Sequence, residues 1–272
     1  MKTTVLHVYA VFVALCVLFV VVSGAAVTNA LAVPAAPILT GFLSSAGHRH
    51  AGEAAGLLTV VLVLWVWIAV KSGPARRVAW YPLLAVVAEI GLGHAAGKAA
   101  PLVGLAHAFL APVLLSTVAA LALATSPAWR RDPVMLQDKG WPPMRGLALT
   151  TLVFVVLQVA LGAAFRHGVL GVMPHIIGAL VVAVLILTKV ICLTQMSGKG
   201  LLKPAAITLL VMVGVQIFLG LTVVSMSDRA MAQLAGLIFS AVHVALGAAT
   251  LAASVVVTME ARRSVLPAPP KP

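Results

Sequence analysis

Apolar residues run through this chain in long blocks, and polar and charged residues gather in the gaps between them. Eight blocks reach the roughly 20 residues that carry an α-helix across a hydrocarbon core, at about 6–28, 50–70, 79–97, 103–125, 147–166, 172–193, 205–226 and 234–258. Strands are excluded, because an unclosed sheet in lipid leaves its backbone groups unpaired. Pro74, Pro82, Pro127, Pro133, Pro142, Pro143 and Pro204 fall at or between block ends, where helix breakers belong. The pattern predicts an all-α integral membrane protein with eight transmembrane helices and short connections. The longest outer connection, roughly 29–47, carries Pro34 and Pro37. The Pro-rich end from Pro267 reads as a disordered tail.

The first block also has the ingredients of a signal peptide: Lys2, an apolar stretch and Ala30-Leu31-Ala32, which is similar to a cleavage site. The apolar run from Val5 to Val27 is long enough to span, and an internal repeat needs that helix, so it is expected to be retained.

Composition agrees with the pattern: of 272 residues, 62% are hydrophobic and 9% charged, against about 25% charged for soluble domains. The net charge of +12 raises the question of nucleic acid. Its distribution answers no. Lys2, Lys71, Arg76, Arg77, Arg130, Arg131, Lys139, Arg145, Lys199, Lys203, Arg262, Arg263 and Lys271 fall on alternate loops, whereas the other loops hold only Arg49, Lys98, Arg166 and Arg229. This is the positive-inside asymmetry, and it predicts both termini in the cytoplasm of a bacterial-type inner membrane. Cys16 and Cys192 lie far apart in apolar runs and read as small core residues.

Three blocks carry one motif, Glu/Gln-x-x-Leu-Gly: Glu89 to Gly93, Gln158 to Gly162 and Gln216 to Gly220. The first block has a degenerate version at Ser23-Gly24-Ala25-Ala26. Each glycine is followed by a histidine at the start of, or just inside, the next block: Gly24 by His48, Gly93 by His107, Gly162 by His175 and Gly220 by His243. The spacings of 24, 14, 13 and 23 residues make the second half a reordered echo of the first. Two tandem four-helix bundles follow from this duplication, residues 1–125 and 146–258, with a cytoplasmic linker at 126–145 and a cytoplasmic tail at 259–272.

The repeat gives one histidine to each even-numbered block, at comparable depth. Paired imidazoles facing each other across a bundle, with small neighbours, are what bis-histidine heme ligation needs. Zinc is the competing metal, but the tight local His, Cys, Asp or Glu spacing it favours is missing; His48 and His50 are i,i+2 and fall on different faces of a helix. Any one intramembrane histidine is ordinarily a hydrogen-bonding core residue. Four at matching repeat positions point to heme iron ligands: His48 and His107 in one half, His175 and His243 in the other.

With these residues in place, the chain resembles the heme A synthase family. The resemblance runs from about residue 8 to 258 and is carried by His48-Arg49 with Ala54-Ala55-Gly56-Leu57-Leu58, Leu105-Ala106-His107, Leu161-Gly162-Ala163-Ala164-Phe165-Arg166-His167, Pro174-His175-Ile176-Ile177-Gly178 and Ala241-Val242-His243-Val244-Ala245-Leu246-Gly247. It implies that heme O, a lipid-soluble substrate delivered by a heme O synthase, binds at His48 and His107 and is oxidised to heme A for cytochrome oxidase assembly. It implies heme b at His175 and His243, and both sites toward the outer face. It also makes Arg49 and Arg166 partners for heme propionates, since a guanidinium pairs bidentately with a carboxylate.

One departure opens a second reading. The family's synthases carry Glu-x-x-His-Arg at the first histidine; here the glutamate position is Ser45, and no acid precedes Glu53. The family's loop cysteine pair is also missing. The alternative is a non-catalytic diheme b-type cytochrome, with heme b in both halves, passing electrons or serving a respiratory complex. A transporter on the same repeat is disfavoured, because the blocks lack mid-membrane breaks. Weak catalytic candidates are Glu53 and His50, placed at i,i+3 to pair. Glu89 aligns with Gln158 and Gln216 and is expected to bond across helices rather than to react. His7, His94 and His167 take no assigned role.

Overall fold

The computed structural model describes residues 2–30, 41–96, 101–138, 141–196, 201–226 and 233–267. It bears out the all-α membrane architecture. The helices are α1 (Lys2–Ala30), α2 (Ser45–Ala69), α3 (Pro74–Val78), α4 (Trp80–Ala96), α5 (Pro101–Thr125), α6 (Pro127–Arg130), α7 (Met144–Arg166), α8 (Met173–Gln195), α9 (Leu202–Met226) and α10 (Gln233–Ser264). Eight spans among the described residues are long and apolar enough to cross a bilayer, with α3 and α4 sharing one of them. Large apolar side chains such as Leu57, Ile68 and Phe218 stand well exposed along these helices. In water that would be a liability; in lipid it is the expected outer surface.

Helices α1, α2, α4 and α5 close one four-membered ring of contacts, and α7, α8, α9 and α10 close a second. The halves meet where α10 packs on α1 and α5 and where α7 packs on α5. The first block is thus an integral part of the packing: Leu6, Ala10, Val13, Val17 and Val21 repeat at helical spacing along α1 and are buried in the main core.

Several boundaries differ from those read in the sequence. Helix α2 begins at Ser45, five residues before the apolar block, because Ser44 caps it: its Oγ accepts from Gly47 N at 3.1 Å. The span that contains His94 begins at Pro74, a proline suited to a helix's first position. Pro112, absent from the breakers named above, lies buried inside α5, where its ring nitrogen donates nothing to the carbonyl of Ala108.

The larger correction concerns the linker and the tail. Helix α10 continues six residues past 258 to Ser264, and Val265–Leu266 (β2) then pair in parallel with Leu136–Gln137 (β1) of the linker. Asp138 N donates to Leu266 O, and Asp138 Oδ2 accepts from Met144 N at 2.8 Å at the start of α7. Leu136, Met144, Ala261 and Val265 form a buried cluster beneath the second bundle. Arg263 donates to the Arg131 carbonyl and stacks over the Trp129 ring at 4.5 Å. Up to Leu266 the tail is therefore a built part of the fold; the disorder expected for its final residues, 268–272, lies outside the described residues.

Candidate functional site

The four repeat histidines come together as two facing pairs, one inside each ring of helices. His48 of α2 and His107 of α5 have ring centroids 6.2 Å apart, and His175 of α8 and His243 of α10 have theirs 6.1 Å apart. The ring planes cross at 69° and 79°. All four side chains are partly buried.

The repeat glycines explain how the rings come to sit there. A Cβ added at Gly24 would lie 2.8 Å from His48 Cε1, one at Gly93 3.3 Å from His107 Cε1, one at Gly162 3.0 Å from His175 Cε1, and one at Gly220 3.3 Å from His243 Cε1. Each imidazole lies against a strip of bare backbone on the preceding helix, space that any other residue would fill. The Gly-to-His pairing read along the sequence is a physical contact in all four repeats.

The Nδ1 sides of the rings are handled differently in the two halves. Ser23 Oγ lies 2.9 Å from His48 Nδ1 and gives its one hydrogen to the Val20 carbonyl, so it accepts from the imidazole. Glu89 Oε1 lies 3.1 Å from His107 Nδ1, at ion-pair distance, with its side chain 13% exposed. A histidine that gives its Nδ1 proton to a neighbour keeps the Nε2 lone pair for a metal. In the second half, Gln158 Nε2 lies 3.0 Å from His175 Nδ1 and donates to the His175 carbonyl at 2.9 Å. Gln216 Nε2 donates to the His243 carbonyl at 2.9 Å, and His243 Nδ1 has no hydrogen-bond partner among the described residues. Gln158 and Gln216 thus hydrogen-bond across helices to the histidine that follows each, while Glu89 meets its histidine at ion-pair distance without a hydrogen bond to His107 Nδ1 among the described residues.

An imidazole nitrogen binds a metal at about 2 Å, and its ring centre lies roughly 1 Å further back. Two rings on opposite faces of one iron therefore have centroids about 6 Å apart. Both pairs match that separation. Among the described residues no three His, Cys, Asp or Glu side chains are arranged to hold a bare metal ion; each pair could supply two imidazole nitrogens to one iron. The donor set fits a heme.

The other sequence candidates divide. Arg166 reaches across the two halves and donates to the Ala25 carbonyl of α1 at 2.5 Å. His167 packs its ring against Gly104 of α5, where an added Cβ would lie 3.0 Å from Cε1. Burial, then Arg166, then His107 hold its ring below the usual imidazole range. Arg49, His50 and Glu53 form an exposed group instead: Glu53 pairs with His50 at 3.3 Å and with Arg49 at 4.0 Å. Ser45, at the missing glutamate, is exposed at the first turn of α2. His94 Nδ1 contacts the Ile90 carbonyl of its own helix, and His7 Nδ1 contacts the Ala122 carbonyl of α5 at 2.9 Å.

Two residues escaped the sequence reading. Ser23 stands in the degenerate repeat, and the signal was its position beside Gly24. Lys189, fully buried in α8 with no hydrogen-bond partner for Nζ among the described residues, was visible as the one lysine inside an apolar block. No protein-family model matches the chain, and no curated protein matches it significantly.

Proposed function

We propose that this chain is a membrane heme protein of the heme A synthase type, holding one heme in each four-helix half and oxidising heme O to heme A in the first. The observation that carries the proposal is the duplication of facing histidine pairs, each at the separation that a single iron imposes on two imidazoles. Bound heme would supply redox-active iron and, in the first half, the methyl group to be oxidised. The protein's part would be to present the four imidazoles that hold the iron: Gly24, Gly93, Gly162 and Gly220 admit the rings, and Ser23 and Glu89 stand beside Nδ1 in the first half. The Glu89 carboxylate behind His107 has only amide counterparts in the second half, which supports different chemistry at the two sites. In this reading the basic loops face the cytoplasm, the hemes lie toward the outer leaflet, heme O arrives through lipid from a heme O synthase, and electrons pass through heme b at His175 and His243.

A second reading is favoured by a specific observation. The carboxylates nearest in sequence to His48 are Glu53, tied up on an exposed face with His50 and Arg49, and none stands at Ser45. With no carboxylate at position 45 beside His48, the fold would serve as a diheme b-type cytochrome, alone or in a respiratory complex. Mass analysis of hemes extracted from protein purified out of cells that make heme O separates the two. Heme A or its hydroxylated precursor beside heme B supports the synthase; heme B alone supports the cytochrome and ends the first reading.

A further inference from the structure

At the opposite end of the first bundle from His48 and His107, the chain builds a basic pocket. Lys71, Ser72, Gly73, Arg76, Arg77 and Trp80 line a concavity of about 450 Å³, and none of them is acidic. His48 and Lys71 are separated by 23 positions, about 35 Å of helix at ~1.5 Å per residue, which puts the pocket at the other bilayer surface.

The turn that makes the pocket is fixed from within. Gly73, at φ 108°, adopts a backbone conformation that side chains disfavour, and it carries the chain from the end of α2 into α3. Arg76 Nη1 donates to the carbonyls of Trp67 at 2.5 Å and Val70 at 3.2 Å, capping the last turn of α2. Trp67 Nε1 donates back to the Arg76 carbonyl at 3.4 Å, and the Trp67 and Trp80 rings lie 4.5 Å apart. Paired tryptophans beside a helix end mark the level of the lipid headgroups. Arg76 is thus committed to the turn, while Lys71 and Arg77 stand exposed at the rim.

We infer that this pocket binds the phosphate of an anionic membrane phospholipid, with Lys71 and Arg77 pairing the charge, Arg76 adding field from behind and Trp80 packing along the glycerol and upper acyl region. The support is complementarity at the right depth: three cations around one concavity, at a membrane boundary where phosphodiesters are the abundant anions. The inference stands apart from the heme reading.

Its test is lipid titration of the delipidated full-length protein, followed by native mass spectrometry, with phosphatidylglycerol, phosphatidylcholine and inorganic phosphate as probes. Two surface cations imply a preference for phosphatidylglycerol over phosphatidylcholine of about thirtyfold. Lys71→Gln with Arg77→Gln should bring that preference close to onefold, and Arg77→Gln alone to about fivefold. Arg130→Gln with Arg131→Gln, which removes the same charge from another basic loop, should leave it intact. Circular dichroism confirms that each variant keeps its helices. An undiminished preference in both pocket variants, an equal loss in the control, or displacement of the lipid by inorganic phosphate at comparable concentration would each overturn the inference.

Discussion

At Gly24 and Gly162 a single methyl group decides whether a histidine ring keeps its place. Alanine there would put Cβ at 2.8 Å and 3.0 Å from Cε1 of His48 and His175, closer than side chains ordinarily pack, whereas at Gly93 and Gly220 the distance is 3.3 Å. The four substitutions should therefore grade. Gly24→Ala and Gly162→Ala should destabilise the protein by about 1–3 kcal/mol through overpacking and displace their histidines, while Gly93→Ala and Gly220→Ala should be milder. Thermal unfolding of the four variants checks this order, and equal effects at all four would refute it. The pairing itself was legible in the sequence, because duplication repeats a glycine before every histidine. The role of Ser23 was not: its contact with His48 depends on how α1 and α2 rotate against each other over 25 positions, which spacing does not specify.

Hydropathy blocks locate the helices well and their ends less well, because ends are set by local chemistry. Ser44 starts α2 through a side-chain hydrogen bond, and Pro74 starts the next span inside what reads as a basic loop. The far end of α10 is the clearest case. Arg262 and Arg263 resemble the close of a membrane span, yet the helix continues to Ser264 because Ala261 and Val265 have an apolar partner in Leu136 of the linker. A contact between residues about 130 apart leaves no mark on local periodicity. It does make a prediction: Leu136→Ala, at a side chain 1% exposed, should cost about 2–4 kcal/mol and loosen the linker and tail together. Limited proteolysis reads this as new cleavage between 126 and 143 and after 260, with the span helices untouched; an unchanged cleavage pattern would count against the clasp.

In the whole molecule, the duplication places two equivalent sites in one chain and lets them diverge. Each ring of four helices encloses its own histidine pair, and the halves share a seam formed by α10 with α1 and α5 and by α7 with α5. Arg166 and His167 lie on that seam, one bonded to Ala25 of α1 and the other packed on Gly104 of α5. If each histidine pair holds a heme, as proposed, the two bundles should lose their hemes independently. The direct measurement is the heme-to-chain ratio, by pyridine hemochrome spectrum and protein quantitation, for the unaltered protein and for His175→Ala. The proposed function predicts about two hemes per chain falling to about one, with the heme of the first half retained. An unchanged ratio in His175→Ala, or no heme in the unaltered protein, would contradict the assignment of the facing histidines as axial ligands.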